Sequence, residues 1–528
     1  MNKYNSQFKI WSGTLSAVVA LSGTLVVAHA QSNDSLTQRL DALDQQIRVV
    51  ARLNEIAQED AKAAAAKAGK AFAGEGGFSL SSADGACTLK FRGFVQSQGQ
   101  YFKGNAGTVS QSASVPSTNP DNTRSIEPVG AYTIKRLQPD FSGALGKQFD
   151  WRVQVNLAAG TVDLLDVNLD WKIRPELNLR VGKFKPPTGL ERLLATPRAP
   201  FVEGSFVTAL QPNRDLGIQL FGELFGKNGG QGLVEYQAGL FDGARDGQNN
   251  TTDNNNDKDL YVRLFSNPFA RTDIDLLRGF SVGVSGSRGY HNDYNSPAVR
   301  AVVGSSSNAI SGTISVTVTP SVTNGIASYS TGRQTFFSYN NTDDTSEGLL
   351  TRLSPQASYY YGPLGLIAEY TQTTQTVRLA AFSNDLTNTA WALTGSYFLT
   401  GEKNAYKSIK VKTANTFPTL EGLGAVEILG RVHSIKIDDK AFKALSTNLG
   451  QRYADPAKSA SAALGYGLAL GWYLNNNVKI FASYERTDFT GGAGVSAKTS
   501  TTPASTAAPV VKDRDAEQVV TASFNVAF

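Results

Sequence analysis

The chain has 528 residues, with 50 Lys+Arg against 45 Asp+Glu for a formal net charge of +5, and it contains 50 Gly, three His and one Cys. One Cys excludes a disulfide framework and a Cys-based zinc site, three His leave little for a His-ligated metal or a His-dependent triad, and so mild a basic excess does not mark a nucleic-acid binder. A mean hydropathy of −0.22 excludes a bundle of transmembrane helices, but not a membrane barrel, in which only alternate residues of each strand need be apolar.

Residues 1–30 read as an export signal: Lys3 and Lys9 form a basic start, an apolar run extends from Leu15 to Val27, and Ala28-His29-Ala30 offers small residues for cleavage before Gln31. The alternative, a membrane anchor, is disfavoured by the short apolar run. Cleavage leaves 48 basic against 45 acidic residues, a net +3. In residues 31–60, Leu36, Leu40, Leu43, Ile47, Val50, Asn54 and Ala57 follow a heptad spacing with Asn54 as a polar position in the seam. This predicts a periplasmic coiled-coil helix, with a single amphipathic helix lying on the barrel as the alternative. Residues 61–87 are rich in Ala, Lys and Gly and are expected to be a linker.

From residue 88 the period changes to 2. Leu89, Phe91, Gly93 and Val95 alternate with Lys90, Arg92, Phe94 and Gln96; Leu165, Val167, Leu169, Trp171 and Ile173 alternate with Asp166, Asn168, Asp170 and Lys172. The pattern recurs to the C-terminus, where Val520, Ala522, Phe524, Val526 and Phe528 share one face. Such alternation predicts a barrel over 88–528, apolar outside and polar within. Seventeen candidate strands, one a doubtful run at 332–338, reduce to sixteen because bacterial barrels have even strand numbers. A terminal Phe on the last strand resembles the signal that outer-membrane barrels present for assembly. Long polar stretches at 104–130, 243–257, 289–331, 400–422, 437–461 and 489–516 are expected to be exposed loops, with Lys403 and Lys407 on one of them. Aromatics such as Trp391, Tyr397, Trp472 and Tyr473 near strand ends fit interfacial girdles.

One connection differs from the others. Residues 171–214 hold eight Lys and Arg against three Glu counted as opposing charge, an excess of five. The loop after Lys183-Phe184-Lys185-Pro186-Pro187 is also apolar, with Leu193, Leu194, Phe201, Phe206, Val207 and Leu210. A water-exposed loop has no use for these side chains. A loop folded into the lumen can pack them on the inner wall and present its cations to the channel.

Here the chain resembles the phosphate-selective porin O and P family of Gram-negative bacteria, on Arg180-Val181-Gly182-Lys183-Phe184-Lys185-Pro186, Gly189-Leu190-Glu191-Arg192 and Pro212-Asn213-Arg214-Asp215-Leu216-Gly217, with support from Glu235 to Gly243, Tyr359 to Pro363 and Tyr397 to Glu402. The resemblance implies a sixteen-stranded antiparallel transmembrane β-barrel with an inward constriction loop. It also implies a homotrimer in the outer membrane among lipid and lipopolysaccharide, and passive uptake of inorganic anions, phosphate or polyphosphate among them. From the resemblance and the alternation together, Arg180, Lys183, Lys185, Arg192, Arg198 and Arg214 are expected at the constriction, with Arg92, Arg136 and Arg152 on the pore wall. Fixed cations there replace the hydration of a permeating anion. For any one of them, a salt bridge to Glu191, Glu203 or Asp215 is the alternative. A general porin for neutral solutes or small organic acids is the second reading, and an outer-membrane enzyme the third, disfavoured because neither His291 nor His433 sits in a catalytic setting. No cofactor, metal or nucleic acid is expected; the calcium-like spacing of Asp253, Asn255, Asp257 and Asp259 reads as a solvated loop.

Overall fold

The computed structural model describes residues 33–74, 76–103, 108–110, 123–125, 131–158, 162–226, 232–246, 249, 256–292, 328–329, 335–339, 344–379, 381–415, 422–445, 452–495 and 511–528. The export signal at 1–30, Asp253 and Asn255, and the central parts of most long loops lie outside these residues.

Residues 33–68 and 69–528 form separate units. The first is one helix, α1 (Asn33–Lys67), braced by the Arg48–Asp44 and Arg52–Glu55 pairs one turn apart. Its heptad residues Leu40, Leu43, Ile47 and Val50 are each more than half exposed in the single chain. The expected linker at 61–87 is shorter than its composition suggests. The helix runs on to Lys67, and residues 70–74 and 77–81 form a hairpin whose second strand pairs with the first barrel strand, Phe78 opposite Phe91.

The second unit is a closed antiparallel barrel of sixteen strands, in chain order β1 (Cys87–Lys103), β2 (Ala131–Leu145), β3 (Phe149–Asn156), β4 (Asp163–Arg174), β5 (Leu177–Phe184), β6 (Asp215–Leu224), β7 (Val234–Phe241), β8 (Asp259–Ser266), β9 (Phe280–Asn292), β10 (Asp344–Tyr361), β11 (Leu364–Leu379), β12 (Phe382–Phe398), β13 (Ala425–Lys436), β14 (Ala460–Tyr473), β15 (Val478–Val495) and β16 (Glu517–Ala527). Each pairs with its neighbour in sequence, and β16 closes on β1 with Val526 opposite Val95. The doubtful run at 332–338 contributes only a three-residue strand, Thr335–Phe337, paired outside the barrel sheet with Ser328–Tyr329. No described helix is long and apolar enough to cross a membrane.

The distribution of side chains inverts that of a water-soluble protein. Leu169, Val181, Ile218, Leu264, Leu393, Leu468 and Phe524 point outward and are exposed, whereas Gln96, Asp140, Asp166, Gln356, Glu369, Arg431, Thr521 and Asn525 are buried inside. A closed sheet satisfies every strand's backbone within the wall, so only the outer side chains need suit lipid. The seam depends on a glycine. Gly93 exchanges both backbone hydrogen bonds with Phe528 at 2.8 and 3.0 Å, and a Cβ added there would lie 2.4 Å from the Phe528 ring. The terminal aromatic thus covers a position where only hydrogen fits.

Two connections depart from the expected alternation of loop lengths. At the end of the barrel opposite the termini, β11 and β12 meet tightly, Leu379 opposite Phe382. At the end that carries the termini, the long segment 399–424 joins β12 to β13. This segment is not the exposed outer loop expected from its composition: Glu402 and Asn404 are buried, and Val411 packs with Phe398, Ala425 and Tyr473.

Candidate functional site

The loop between β5 and β6, residues 185–214, folds into the lumen. Pro186 and Pro187 have no backbone N–H, so the β5 ladder stops there. Gly189, at φ +69°, turns the chain, and a Cβ there would collide with Gln211 and Glu369. Glu369, on β11 across the lumen, is the anchor. Its carboxylate accepts from Leu190 N at 2.8 Å, from Glu191 N at 3.0 Å and from the Gln211 amide.

The return limb carries the apolar residues that marked this loop in the sequence. Phe206, Val207 and Leu210 pack against Val377, Ala390, Ala392, Ile435 and Ala463 on the inner face of β11–β14. Phe206 N donates to His433 Nδ1 at 3.1 Å. Phe201 and Val202 pack on Leu429 and Phe481. Arg431 lies 4.2 Å above the Phe201 ring, donates to Glu203 O at 2.8 Å and pairs with Glu485. Lys135 pairs with Glu203, and Arg136 donates to Val202 O at 3.2 Å and to Gln96.

Two of the loop's arginines hold it in place. Arg192 donates to Thr208 O and, at 3.3 Å, to Gln211 O, tying the outgoing limb to the returning one. Burial pushes the Arg192 pKa down to about 10, so it remains a cation at neutral pH. Arg198 reaches the segment from the opposite end of the barrel, donating to Asn404 Oδ1 at 2.6 Å and Ala405 O at 3.0 Å, with Tyr473 OH at 3.4 Å and Glu427 at 3.5 Å. Tyr406 OH donates to Leu190 O at 2.7 Å alongside. An irregular loop leaves carbonyls without strand partners, and buried guanidinium groups with several donors satisfy them.

Among the described residues, a cavity of about 960 Å³ lies between the loop and the inner wall of β1–β6. Its cations are Lys90, Arg92, Arg152, Lys172, Arg180, Lys185 and Arg214, and its carboxylates Asp140, Asp150, Asp166 and Asp170, an excess of three positive charges. They alternate across neighbouring strands: Arg92–Asp140 at 3.1 Å, Arg152–Asp140 and Arg152–Asp166 at 3.0 Å, and Arg214–Asp166 at 2.9 Å. Arg180 pairs with Asp170 at 2.6 Å and stacks near Phe184 and Phe221. Lys185 differs, since its ammonium donates to a neutral acceptor, Leu194 O, at 2.8 Å. Burial first, and then the neighbouring Arg214, hold its pKa well below the ordinary lysine range.

Of the residues expected at the constriction, the structure brings Arg180, Lys185 and Arg214 to this cavity, together with the wall candidates Arg92 and Arg152. Arg192, Arg198 and Arg136 hold the loop. Lys183 does not line this cavity: it stands opposite Val167 and Leu216, but its side chain is buried rather than exposed like those of Val181 and Ile218, within electrostatic reach of Arg214, Asp166 and Asp215. The bulge-like Gly182, at φ +127°, lies between it and Phe184. Glu191 and Glu203 act within the loop's own anchoring, and the carboxylates that pair with the wall are instead Asp140, Asp166 and Asp170. Alternation already placed Asp166 and Asp170 on the polar face of β4; which cation each meets follows from register alone. The roles of Arg431 and the 399–424 segment had no sequence signal, because they rest on contacts between residues about two hundred positions apart. His291, remote from this cavity, pairs with Asp259 at 3.1 Å, and no metal-holding group occurs among the described residues.

The family model for phosphate-selective porin O and P matches residues 117–493. No curated protein is a significant match in sequence. Among solved structures, the chain is similar to in-vitro folded OmpT, an outer membrane protein of Vibrio cholerae, at 10% identity over 84% of this chain and 98% of that one, with a TM-score of 0.45. It is similar also to the outer membrane channel DcaP of Acinetobacter baumannii, at 9% identity over 87% and 99% of the two chains, TM-score 0.45. A third is Salmonella typhi OmpF in complex with daunomycin, at 9% identity over 87% and 100%, TM-score 0.44. With a family match over most of its length and a closed sixteen-stranded barrel behind it, this chain belongs to the phosphate-selective porin O and P family and is an outer-membrane channel.

Proposed function

We propose that the channel conducts anions in preference to cations, passively, and that the preference resides on the cations lining the open cavity rather than on Arg192 and Arg198 in the middle of the inward loop. The observation that carries this reading is the excess of three cations among the cavity's charged side chains, with Arg92 and Arg152 on the wall and Lys185 and Arg214 at the two ends of the loop. Cations there interact with a permeating ion at short range, where salt screens little, unlike charges on outer loops. Alternate carboxylates keep each site moderate, so an anion binds without being trapped. The family's name makes phosphate one expected permeant. The same alternation gives weight to the second reading, a porin for small organic acids whose cations balance carboxylates. No enzymatic activity is assigned.

The proposal extends to assembly. The exposed stripe Leu40, Leu43, Ile47 and Val50 is a seam without a partner in the single chain, and it takes two further copies of the same helix to give a periplasmic coiled coil under a homotrimer of barrels. The signal at 1–30 directs export. The deciding experiment for transport is the reversal potential of the purified trimer in a planar bilayer under a potassium chloride gradient. Chloride preference supports the reading, and potassium preference overturns it.

A further inference from the structure

The two sides of the open cavity differ in chemistry. One side carries a ladder of cations, Arg92 and Arg152 from the strand wall with Lys185 and Arg214 from the two ends of the loop. The loop supplies Leu193 to Pro197, a stretch without a charged residue, with Ala195 and Pro197 exposed to the lumen. The two cations in the middle of the loop do not line this opening: Arg192 is spent on Thr208 and Gln211, and Arg198 on Asn404 and Ala405. Phe94, Phe184 and Leu194 add further apolar lining.

An inorganic phosphate carries oxygens on all sides. Seated on this ladder, it turns part of them toward Leu193, Ala195 and Pro197, whose side chains offer no donor, with Thr196 as the one hydroxyl of that stretch, and desolvation against the apolar side chains is uncompensated. A carboxylate is one-sided. Its two oxygens accept from Lys185 and a neighbouring guanidinium, while the apolar body lies on the loop. Lys185 is suited to the charged end because its present partner is a neutral carbonyl rather than a carboxylate. Resting on the anion-channel reading above, we infer that the constriction is a binding site for small organic carboxylates with an apolar body, which it prefers to inorganic phosphate.

The test measures block of chloride current through the full-length trimer by sodium benzoate, sodium acetate and sodium phosphate at matched ionic strength. Benzoate is expected to halve the current at about one-tenth of the acetate concentration, the ratio that burying part of an aromatic ring supplies, and at a lower concentration than phosphate. Leu193→Asn should bring benzoate to the acetate level and leave acetate unchanged; Lys185→Gln should weaken both. Ala195→Asn, at an exposed position, repeats the test if Leu193→Asn assembles poorly, as judged by its heat-shifted gel mobility. Phosphate blocking as well as benzoate, or benzoate block indifferent to both loop variants, overturns the inference. The reversal potential recorded in the same bilayers separates the two claims. Potassium preference sinks the anion reading itself, whereas chloride preference with phosphate blocking best sinks only the carboxylate assignment.

Discussion

Lys185→Gln isolates a cavity charge, at the start of the loop, whose ammonium donates to a carbonyl rather than to a carboxylate. The amide keeps much of the length and can still donate to Leu194 O, now 2.8 Å from the ammonium, so the loop should hold. Around it, Arg92, Arg152, Lys185 and Arg214 oppose Asp140 and Asp166, a local charge of +2 that the variant reduces to +1. A permeating ion passing at about 5 Å in a water-like medium feels one unit charge as about 0.8 kcal/mol. That corresponds to about four-fold in anion occupancy and an opposite four-fold for a cation, so the chloride-to-potassium permeability ratio should fall about 15-fold at most. At about 0.1 M salt the screening length of about 10 Å leaves this short-range effect largely intact. The assay is the reversal potential in planar bilayers, with Lys443→Gln, an exposed lysine of the 437–459 connection, as the control expected to change little. The pH profile gives a second reading of the same residue. Its pKa is depressed in the free channel, and a bound anion favours the protonated form. Block by a carboxylate should therefore be strongest below the free-state pKa and weaken as pH rises through it, at values below the ordinary lysine range. Lys185→Gln should flatten that slope. A variant with unchanged selectivity and an unchanged pH profile refutes the placement of Lys185 in the permeation path.

Lys183→Gln, two residues earlier but buried outside the cavity lining, should shift the reversal potential less than Lys185→Gln; a shift as large as that of Lys185→Gln contradicts this placement. Arg198→Ala removes the tie between the loop and the 399–424 segment and leaves Glu427 buried beside Tyr473. It should cost about 3 kcal/mol, lower the temperature of the gel heat shift and make single-channel current noisier, whereas an unaltered heat shift and quiet current would show the tie to be dispensable. Gly93→Val places side-chain atoms where the Phe528 ring lies and should reduce the yield of assembled barrel in membranes; normal yield would mean that the seam tolerates the change. Leu43→Asp with Ile47→Asp should weaken the trimer on gels while leaving conductance per barrel unchanged, and loss of conductance would point to a helix acting on the pore instead.

The barrel was legible in the sequence because lipid and lumen impose opposite chemistry on successive residues of a strand. Val167 to Ile173 and Val520 to Phe528 declare both their strands and their facing, whereas a shift of register beside Asp166 buries Leu165 and turns Leu164 outward instead. The inward loop was legible for the complementary reason, since Leu193, Phe206 and Leu210 have no place in water. Its destination was partly misread. Local charge at 171–214 drew Arg192 and Arg198 into the constriction, yet buried loop carbonyls need donors, and those two arginines satisfy them. Lys183 belongs to a strand, and the register around Gly182 decides which way a strand residue points. The 399–424 segment reads as an outer loop because its composition is polar, but polar residues serve equally well against a polar lumen. Composition and period depend on the solvent each residue meets and so are written locally. Which Asp faces which Arg, and which carboxylate anchors a loop, depends on strands brought together by barrel closure, and only the tertiary structure decides that.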